Sequence, residues 1–527
     1  MSRQPALLLG GFQRKGSNAE LLLSTFWKNF QSYAPDHAVF DLHGGGDRLS
    51  TCVPFFLHLD EGTGLRKSAV LVVSMQPVFG RETSLRFSSL HKVRDMHDRM
   101  TQAQSHNNMG NTYLSRFLLT AMPKKMYMGS NVGTYWGMLD LIAKECKALM
   151  TDGISIHGVK YYPICIGVKG DQPALIKCGN FKRSFMNMAK NKGCCWECLA
   201  GFDEFPFEDT TPTPAWLSTI GLVDPWPAAS PSPLLQVPGY SDNLTLFWRR
   251  DPFHAFKQTI GGHFAASLII LFAVDFGLWK VPGLSSSVDE VLARAFYDFS
   301  FWVQFEWRGS VRNHIKAFTR QILHFPDHSK FPFARFKGSD QMILLRWLRH
   351  LILNGVVFES DITRASANLI NSPPADGQKE FFWNALHGCE GGIQFFHSLH
   401  REGLWLKEVS NVMASNCRLF CTSYRRLAML CHLKGLARFH MEPSLHTFCH
   451  FAVDLSVSSP IKLSPASSTT EADEDFVGKV ARLCRHVSAM QTTKRCIERY
   501  LIRLYFEFEK AWVTSISYLN YSEKNKS

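Results

Sequence analysis

The hydrophobic pattern of the chain changes near residue 251, and this change constrains the fold more than any other feature. Before it, short apolar runs bounded by turn residues predict β-strands at 53–59, 68–74 and 161–168. After it, apolar residues recur at helical spacing almost to the end of the chain. A chain that places strands first and helices afterwards is expected to form an α+β fold.

The helical part is predicted to contain seven helices. We expect them at residues 252–276, 286–306, 309–323, 339–354, 378–403, 405–435 and 474–512. A proline-rich stretch, 206–238, precedes them. We interpret it as an ordered surface loop, because Trp216, Trp226 and Leu234 within it need burial.

Composition excludes several classes of protein. With 45% hydrophobic and 20% charged residues among 527, the chain is globular and not disordered. Its 14 cysteines lie mostly singly in apolar segments, and the apolar run near the N-terminus is too short for a signal peptide. We therefore expect free thiols in a reducing compartment, nuclear or cytoplasmic.

The length of the apolar runs and the net charge indicate which partners to expect. The longest uncharged apolar run, 264–274, is closed by Asp275 and has the length of a core helix, so no membrane partner is expected. The formal net charge of +13 favours a polyanionic partner, and DNA is the first candidate.

Two aspartates stand at the ends of predicted strands. Asp60 ends the first strand, and Asp171 follows the strand at 161–168. If these strands are neighbours, the carboxylates converge and can bind Mg²⁺ or Mn²⁺. Two such ions would support phosphodiester chemistry. The alternative is that each carboxylate only caps a strand or a turn.

A Cys-x-x-Cys pair suggests a second metal. Cys195 and Cys198 supply half of a tetrahedral zinc site, which His254 or His263 could complete. A redox pair or simple packing remain alternatives. Asp251 is predicted to cap the helix that begins at Pro252. A cap at Asp251 does not account for His254. This histidine lies one turn into the helix, where its side chain can face the ends of the strands.

The predicted last helix begins with acids and continues with bases. Glu474 lies in its first turn, where the helix dipole favours negative charge. The bases that follow either track a phosphate backbone or form a solvated face. Bases in the predicted helix 309–323 would contact phosphates without reading sequence, if the chain acts on DNA. The candidate nucleic-acid-binding residues are Arg312, Lys316, Arg320, Lys479, Arg482 and Arg485.

Two weaker motifs are set aside. His43-Gly-Gly-Gly46 is similar to an esterase oxyanion loop, but no G-x-S-x-G nucleophile elbow follows it. The segment 11–17 resembles a phosphate-binding loop but lacks the lysine that such a loop requires.

Taken in order, these motifs resemble a known family. The order is strand–Asp60, strand–Asp171, Cys-x-x-Cys, Asp-Pro-Phe-His254, a helical block, a histidine pair at 446 and 450, and Glu474-Asp-Phe-x-Gly. It is similar to that of cut-and-paste DNA transposases of the CACTA type and the Kyakuja–Dileera–Zisupton group. The strings LDEGTG, GVKGD, DPFH and DEDFVG are closer still to multi-copy proteins of dinoflagellate genomes.

The resemblance implies an RNase H-like mixed sheet with flanking helices, a large all-α insertion and a C-terminal helix that completes the core. It implies metal-dependent DNA cleavage and strand transfer, with Asp60, Asp171 and Glu474 as the catalytic Mg²⁺ or Mn²⁺ ligands. Cys195, Cys198 and His254 would form a zinc-binding element. The role of His446 and His450 stays open. A homodimer is compatible with this resemblance, and no small-molecule cofactor is expected.

The resemblance also implies a division of the chain. We expect an N-terminal extension (1–50), a strand-rich core (51–255), a helical insertion (256–445), a C-terminal helix (446–515) and a frayed tail (516–527). Two other functions stay open. One is a catalytically dead DNA-binding derivative of a transposable element, and the other is a helical interaction protein whose acids are only caps.

Overall fold

A computed structural model describes residues 7–12, 17–63, 68–186, 192–227, 230–307, 313–354, 377–456, 459–485, 487 and 491–524. The side chains of 46–47, 377–378 and 512–524 are not described. The fold is mixed α+β, as the sequence predicts, with the sheet built mainly from the first half of the chain.

The main sheet has six strands. They are β1 (Cys52–Thr63), β2 (Ala69–Pro77), β3 (Phe117–Pro123), β4 (Ile154–Ile156), β5 (Val159–Lys169) and β6 (Trp248–Arg249). The strand order is β3-β2-β1-β5-β4, and β6 pairs with β5. β2 runs antiparallel to both β1 and β3, whereas β5 runs parallel to β1 and β6 runs parallel to β5. The sheet is therefore mixed.

The register brings the two predicted strand-end acids to one edge. β1 and β5 pair in parallel up to His58 opposite Lys169. Asp60 and Asp171 each lie two residues beyond that pair, so the carboxyl ends of the two strands present both acids together. Asp60 is still within β1 and pairs with Val72 of β2.

Helices of the first half cover the sheet. They are α1 (Ser17–Tyr33), α2 (Val39–His43), α3 (Thr83–Ser89), α4 (Met96–Ala103), α5 (Val132–Thr151) and α6 (Gln172–Gly179). Helix α1 buries Phe26, Trp27 and Phe30 completely, because its apolar residues recur at helical spacing. The proline-rich loop is ordered in its described part, with Trp216 and Leu234 buried as predicted.

The helical block forms a second core. Its helices are α7 (Phe253–Asp275), α8 (Val288–Trp307), α9 (Gly338–Leu353), α10 (Gly377–Arg401), α11 (Val409–Leu433) and α12 (Pro443–Ser456). Among the described helices, α7 is the one long and apolar enough to cross a membrane, but 78% of its apolar window is buried inside the fold. Phe264 and Phe420 pack ring against ring at its centre, with centroids 5.2 Å apart.

The predicted helix at 309–323 is wrong over its described part, because residues 313–323 are extended and then turn. Ile315 and Phe318 are buried by this path, and the Phe318 ring packs against Phe299 and Trp347. Helix α11 also begins later than predicted. Trp405 and Leu406 form β7 (Trp405–Leu406), which pairs with β8 (Lys462–Leu463) in a small separate sheet.

The predicted last helix is two helices, α13 (Glu471–Cys484) and α14 (Thr492–Lys524). The break allows both to pack on Tyr113, whose ring contacts those of Phe476 and Tyr500. Residues 512–524 contain neither glycine nor proline, and the backbone of α14 continues to Lys524. The tail predicted from residue 516 thus begins within the backbone of α14.

Candidate active site and metal centre

Asp60 faces the first turn of α13. Side chains alternate along a strand, so Asp60 and Glu61 point to opposite sides of the sheet. Glu61 pairs with Lys124 at 3.1 Å and Lys177 at 3.5 Å. The buried carboxyl of Asp60 instead accepts a hydrogen bond from the amide of Glu61 at 2.6 Å, and its pKa is raised by burial and then by the charge of Glu474. Of the two neighbouring acids, Asp60 is therefore the one that belongs to the candidate site.

Asp171 serves as a cap and also adds charge to the site. It is the N-cap of α6, where its Oδ1 accepts a hydrogen bond from the amide of Ala174 at 2.7 Å. Its charge also contributes to the raised pKa of Asp60, where burial is the largest cause and the charges of Glu474 and Asp171 follow. Asp171 is thus a helix cap, and its charge is also felt by Asp60.

His254 lies among the acids and not beside the cysteines. Its Nδ1 is 2.6 Å from Oδ2 of Asp251, and its Nε2 is 3.3 Å from Oε1 of Glu474. Burial would lower the pKa of His254, but the hydrogen bonds to Asp251 and Glu474 outweigh it and raise the pKa to about 11. The ring is therefore an imidazolium that offsets part of the local negative charge.

Asp251 connects the start of α7 to the start of α13. Its carboxylate accepts hydrogen bonds from the amide of Phe253 at 2.8 Å and from the hydroxyl of Thr470. The predicted cap of α7 is thus present, and the same side chain fixes the turn before Glu474. One imidazolium faces four carboxyl groups, those of residues 60, 171, 251 and 474, so the acids outnumber the cation even when Asp60 is protonated.

A buried ion network supports this arrangement. Asp473 accepts a hydrogen bond from Nε of Arg116 at 3.0 Å and forms an ion pair with Nζ of Lys169 at 2.7 Å, and all three side chains are fully buried. Burial would raise the pKa of Asp473, but the charges of Arg116 and Lys169 outweigh it and hold the pKa well below its usual range. The network links the residue before β3, the last residue of β5 and the residue before Glu474 in α13.

The cysteine pair meets two histidines from α12. Distances between ligand atoms are 3.4 Å for Cys195 Sγ–His450 Nε2, 3.3 Å for Cys198 Sγ–His446 Nε2 and 3.0 Å for the two Nε2 atoms. Zinc bonds of 2.0–2.3 Å in a tetrahedron place ligand atoms about 3.3–3.8 Å apart. All four residues are buried, so the group could hold a metal such as zinc.

Local structure prepares this group for metal. Gly201 adopts a φ of +91°, and a Cβ there would meet the amide nitrogen of Cys194 at 2.8 Å, so the tight cysteine turn requires glycine. His446 and His450 are four residues apart and share one face of α12. Burial would raise the pKa of Cys195, but hydrogen bonds with Cys198 and both histidines hold it well below its ordinary value. The thiolate is the metal-binding form.

A charged pair stands behind His450. Arg250 donates hydrogen bonds to Glu197 at 2.9 and 2.6 Å and also lies 3.0 Å from Nδ1 of His450. The guanidinium of Arg250 only donates, so Nδ1 of His450 accepts in this arrangement. A metal at Nε2 would place the proton on Nδ1, and Arg250 would then have to turn away and leave that proton to the carboxylate of Glu197, 3.9 Å away.

The zinc interpretation needs one correction. His254 does not join Cys195 and Cys198, because its ring is held between Asp251 and Glu474. His263, the other candidate, also lies in a different group. The ligands that sequence reasoning left without a role are His446 and His450. Their signal was the His-x-x-x-His spacing, which matches the second half of many zinc sites.

The candidate DNA-binding bases differ in their environment. Lys479 is engaged within the protein, with Asp475 at 2.6 Å and the Thr112 hydroxyl at 2.8 Å. Arg482 is exposed on α13 and Arg485 is exposed directly after it, although Arg485 donates to the backbone of Thr63. Lys316 and Arg320 are exposed on the non-helical segment, and Arg312 lies outside the described residues.

The described ranges contain two groups of candidate metal ligands, and within each group the ligand atoms all lie within 4.8 Å of one another. One is the cysteine–histidine group, and the other is His263, His440 and Glu442. The acids of residues 60, 171 and 474 are electrostatically coupled but do not form such a tight set. No protein-family model matches the chain, and no curated protein sequence matches it either.

Proposed function

We propose that this protein is a transposase-like, metal-dependent DNA nuclease with an RNase H-like core. The observation that carries the proposal is the convergence of Asp60, Asp171 and Glu474 around His254. These residues come from β1, from the end of the adjacent parallel strand and from a C-terminal helix that packs on β1. The order of three antiparallel strands followed by two parallel ones is that expected of an RNase H-like sheet.

The charge of the site supports divalent-cation binding. Asp60, Asp171 and Glu474 are hard oxygen ligands, and their mutual repulsion raises the pKa of Asp60 beyond the effect of burial. These residues would hold Mg²⁺ or Mn²⁺. When bound, such ions activate a water or a 3′-hydroxyl and stabilise the leaving oxygen of a phosphodiester.

The protein's own groups would position the DNA. His254 is a fixed cation at the site and would orient Glu474 through their hydrogen bond. Arg482 extends from the helix that carries Glu474 and would contact phosphates without reading sequence. The cysteine–histidine group would bind zinc and would tie the strand-rich half to α12, the helix that precedes α13 along the chain.

The test pairs metal binding with DNA nicking. Asp171→Asn and Glu474→Gln should each abolish Mn²⁺-dependent nicking of supercoiled DNA and weaken Mn²⁺ binding measured by calorimetry. Asparagine at 171 keeps the helix cap, so loss of activity would report the charge and not the fold. Asp475→Asn, on the same helix and half exposed, is the matched control and should retain both.

Other outcomes distinguish the alternatives. Nicking that persists in Asp171→Asn would refute the nuclease proposal. DNA retention without Mn²⁺ binding by the wild type would instead favour the catalytically dead DNA-binding derivative. A wild type that binds neither DNA nor Mn²⁺ would favour the helical interaction protein.

A further inference from the structure

A second group of potential ligands lies in the helical block, separate from the acids and from the cysteines. His263 comes from α7, and His440 and Glu442 come from the segment between α11 and α12. Each offers one ligand atom, and the three atoms lie within 4.8 Å of one another. Nε2 of His263 is 3.8 Å from Oε2 of Glu442. This is a two-histidine, one-carboxylate set.

The ring of His263 is held in the orientation that a metal ligand needs. Its Nδ1 lies 2.9 Å from the carbonyl oxygen of Pro332. A carbonyl only accepts hydrogen bonds, so Nδ1 must donate, and the lone pair of the neutral ring is left on Nε2. Nε2 is the atom that faces Glu442. A backbone carbonyl behind the distal nitrogen is typical of metal-binding histidines.

The segment that carries the other two ligands is fixed at its backbone. Phe439 adopts a φ of +54°, and its amide donates to the hydroxyl of Ser267 at 2.9 Å. The hydroxyl of Tyr424 donates to the carbonyl of His440 at 2.7 Å. The ring of Phe331 stacks on that of His440, with centroids 4.7 Å apart. The left-handed conformation, which costs energy for a phenylalanine, thus sets the direction of His440.

Glu442 carries an unsatisfied buried atom. Its Oε1 is buried and has no hydrogen-bond partner among the described residues. A buried acceptor without a partner costs about 1–3 kcal/mol, and a charged one costs more. Arg335 lines the same cavity, and no ion pair between it and Glu442 is found in the described part of the chain. A metal ion beside Glu442 would satisfy this oxygen.

We propose that His263, His440 and Glu442 bind a divalent transition-metal ion, with zinc as the first candidate. Imidazole and carboxylate ligands suit zinc, and three protein ligands leave a coordination position for water or another ligand. His263 and Glu442 line a cavity of about 650 Å³ whose wall also includes Asp171 and His254. The open position would face this cavity, and the inference does not depend on nuclease activity.

Metal counting tests the proposal. Protein dialysed against a slight excess of zinc and then against buffer should contain two equivalents by inductively coupled plasma mass spectrometry. Glu442→Gln and His440→Ala should each contain one. Cys198→Ser should also contain one equivalent, but this ion would be the one held by His263, His440 and Glu442. The matched control is His324→Asn, near the same Phe333 ring as His263, which should keep two.

Cobalt substitution separates the two sites. In Glu442→Gln and His440→Ala, the remaining cobalt should show thiolate-to-metal charge transfer, whereas in Cys198→Ser the remaining cobalt should show none. His440 is only partly buried, so its alanine variant is expected to fold, and near-ultraviolet circular dichroism checks this. A wild type that holds only cysteine-bound metal, or none, would overturn the proposal. So would two equivalents retained in both Glu442→Gln and His440→Ala.

Discussion

Asp473 supplies the negative charge that compensates two buried cations. Its carboxylate oxygens lie 3.0 Å from Nε of Arg116 and 2.7 Å from Nζ of Lys169, and none of the three side chains is exposed. Asp473→Asn keeps the size of the side chain but removes this charge. Arg116 and Lys169 would then remain buried with only neutral partners, the carbonyl oxygens of Asn107 and Thr469 among them.

The expected cost is about 3–5 kcal/mol of unfolding free energy, the range found when one member of a buried ion pair is removed. Lys169 sets the pH dependence of this loss. Burial already lowers its pKa, and the charge of Asp473 opposes that effect. In the variant, the pKa of Lys169 falls further below its unfolded value of about 10.4. The unfolded chain then binds more protons than the folded one, so the stability of the variant should rise with pH up to about 10.

Urea titrations of the wild type and the variant between pH 6 and 9 would measure both effects. The control is Asp475→Asn, whose half-exposed carboxylate pairs with Lys479 on the same helix. It should cost less than about 1 kcal/mol with little pH dependence. Equal losses in the two variants, or a loss in Asp473→Asn that is constant with pH, would refute the reasoning.

Three further predictions concern other parts of the fold. Burial, reinforced by the charge of Arg249, lowers the pKa of His37 to about 3, so the free energy of unfolding should fall as pH drops from 6.5. His37→Asn keeps an acceptor for the amide of Val39. In acid urea titrations it should reduce the slope of unfolding free energy against pH by up to about 1.4 kcal/mol per pH unit. A Cβ at Gly62 would lie 2.8 Å from Val477 of α13, so Gly62→Ala should destabilise by about 1–3 kcal/mol, whereas Gly45→Ala, with no atom within 4 Å, should be nearly neutral in thermal unfolding. Zinc at a thousand times its Kd should stabilise the wild type by about 4 kcal/mol for each occupied site, and a strong chelator should abolish this gain; Cys198→Ser should lose the share of the cysteine–histidine site in calorimetry.

The placement of the acids could be predicted from sequence, because it follows from local patterns. An apolar run that ends in an aspartate predicts a strand with an acid at its carboxyl end, and parallel pairing then brings Asp60 and Asp171 together. The position of Glu474 came from the family resemblance and not from spacing. Its own local signal, acids in a first helical turn, is equally typical of ordinary helices.

The partners of the cysteines could not be predicted in the same way. Cys195 and Cys198 are nearly 250 residues from His446 and His450, and no periodicity relates segments so far apart. Periodicity also misplaced the segment after residue 313, where Ile315 and Phe318 recur at helical spacing but are buried by an extended path between α8 and α9. Spacing reports which residues share a face only when the element type is already known.

The cysteine–histidine group has a consequence for biosynthesis. Its first and last ligands, Cys195 and His450, are separated by 255 positions. At roughly 5–20 residues per second, a ribosome needs on the order of 13–50 s to reach the second pair after making the first. The nascent chain therefore exposes two thiols for that interval without their partners, and the metal can be enclosed only after the whole helical block has been made. Zinc capture would then be a late, post-translational event, and thiol oxidation or delivery of the ion to the waiting pair would decide how much of the protein matures.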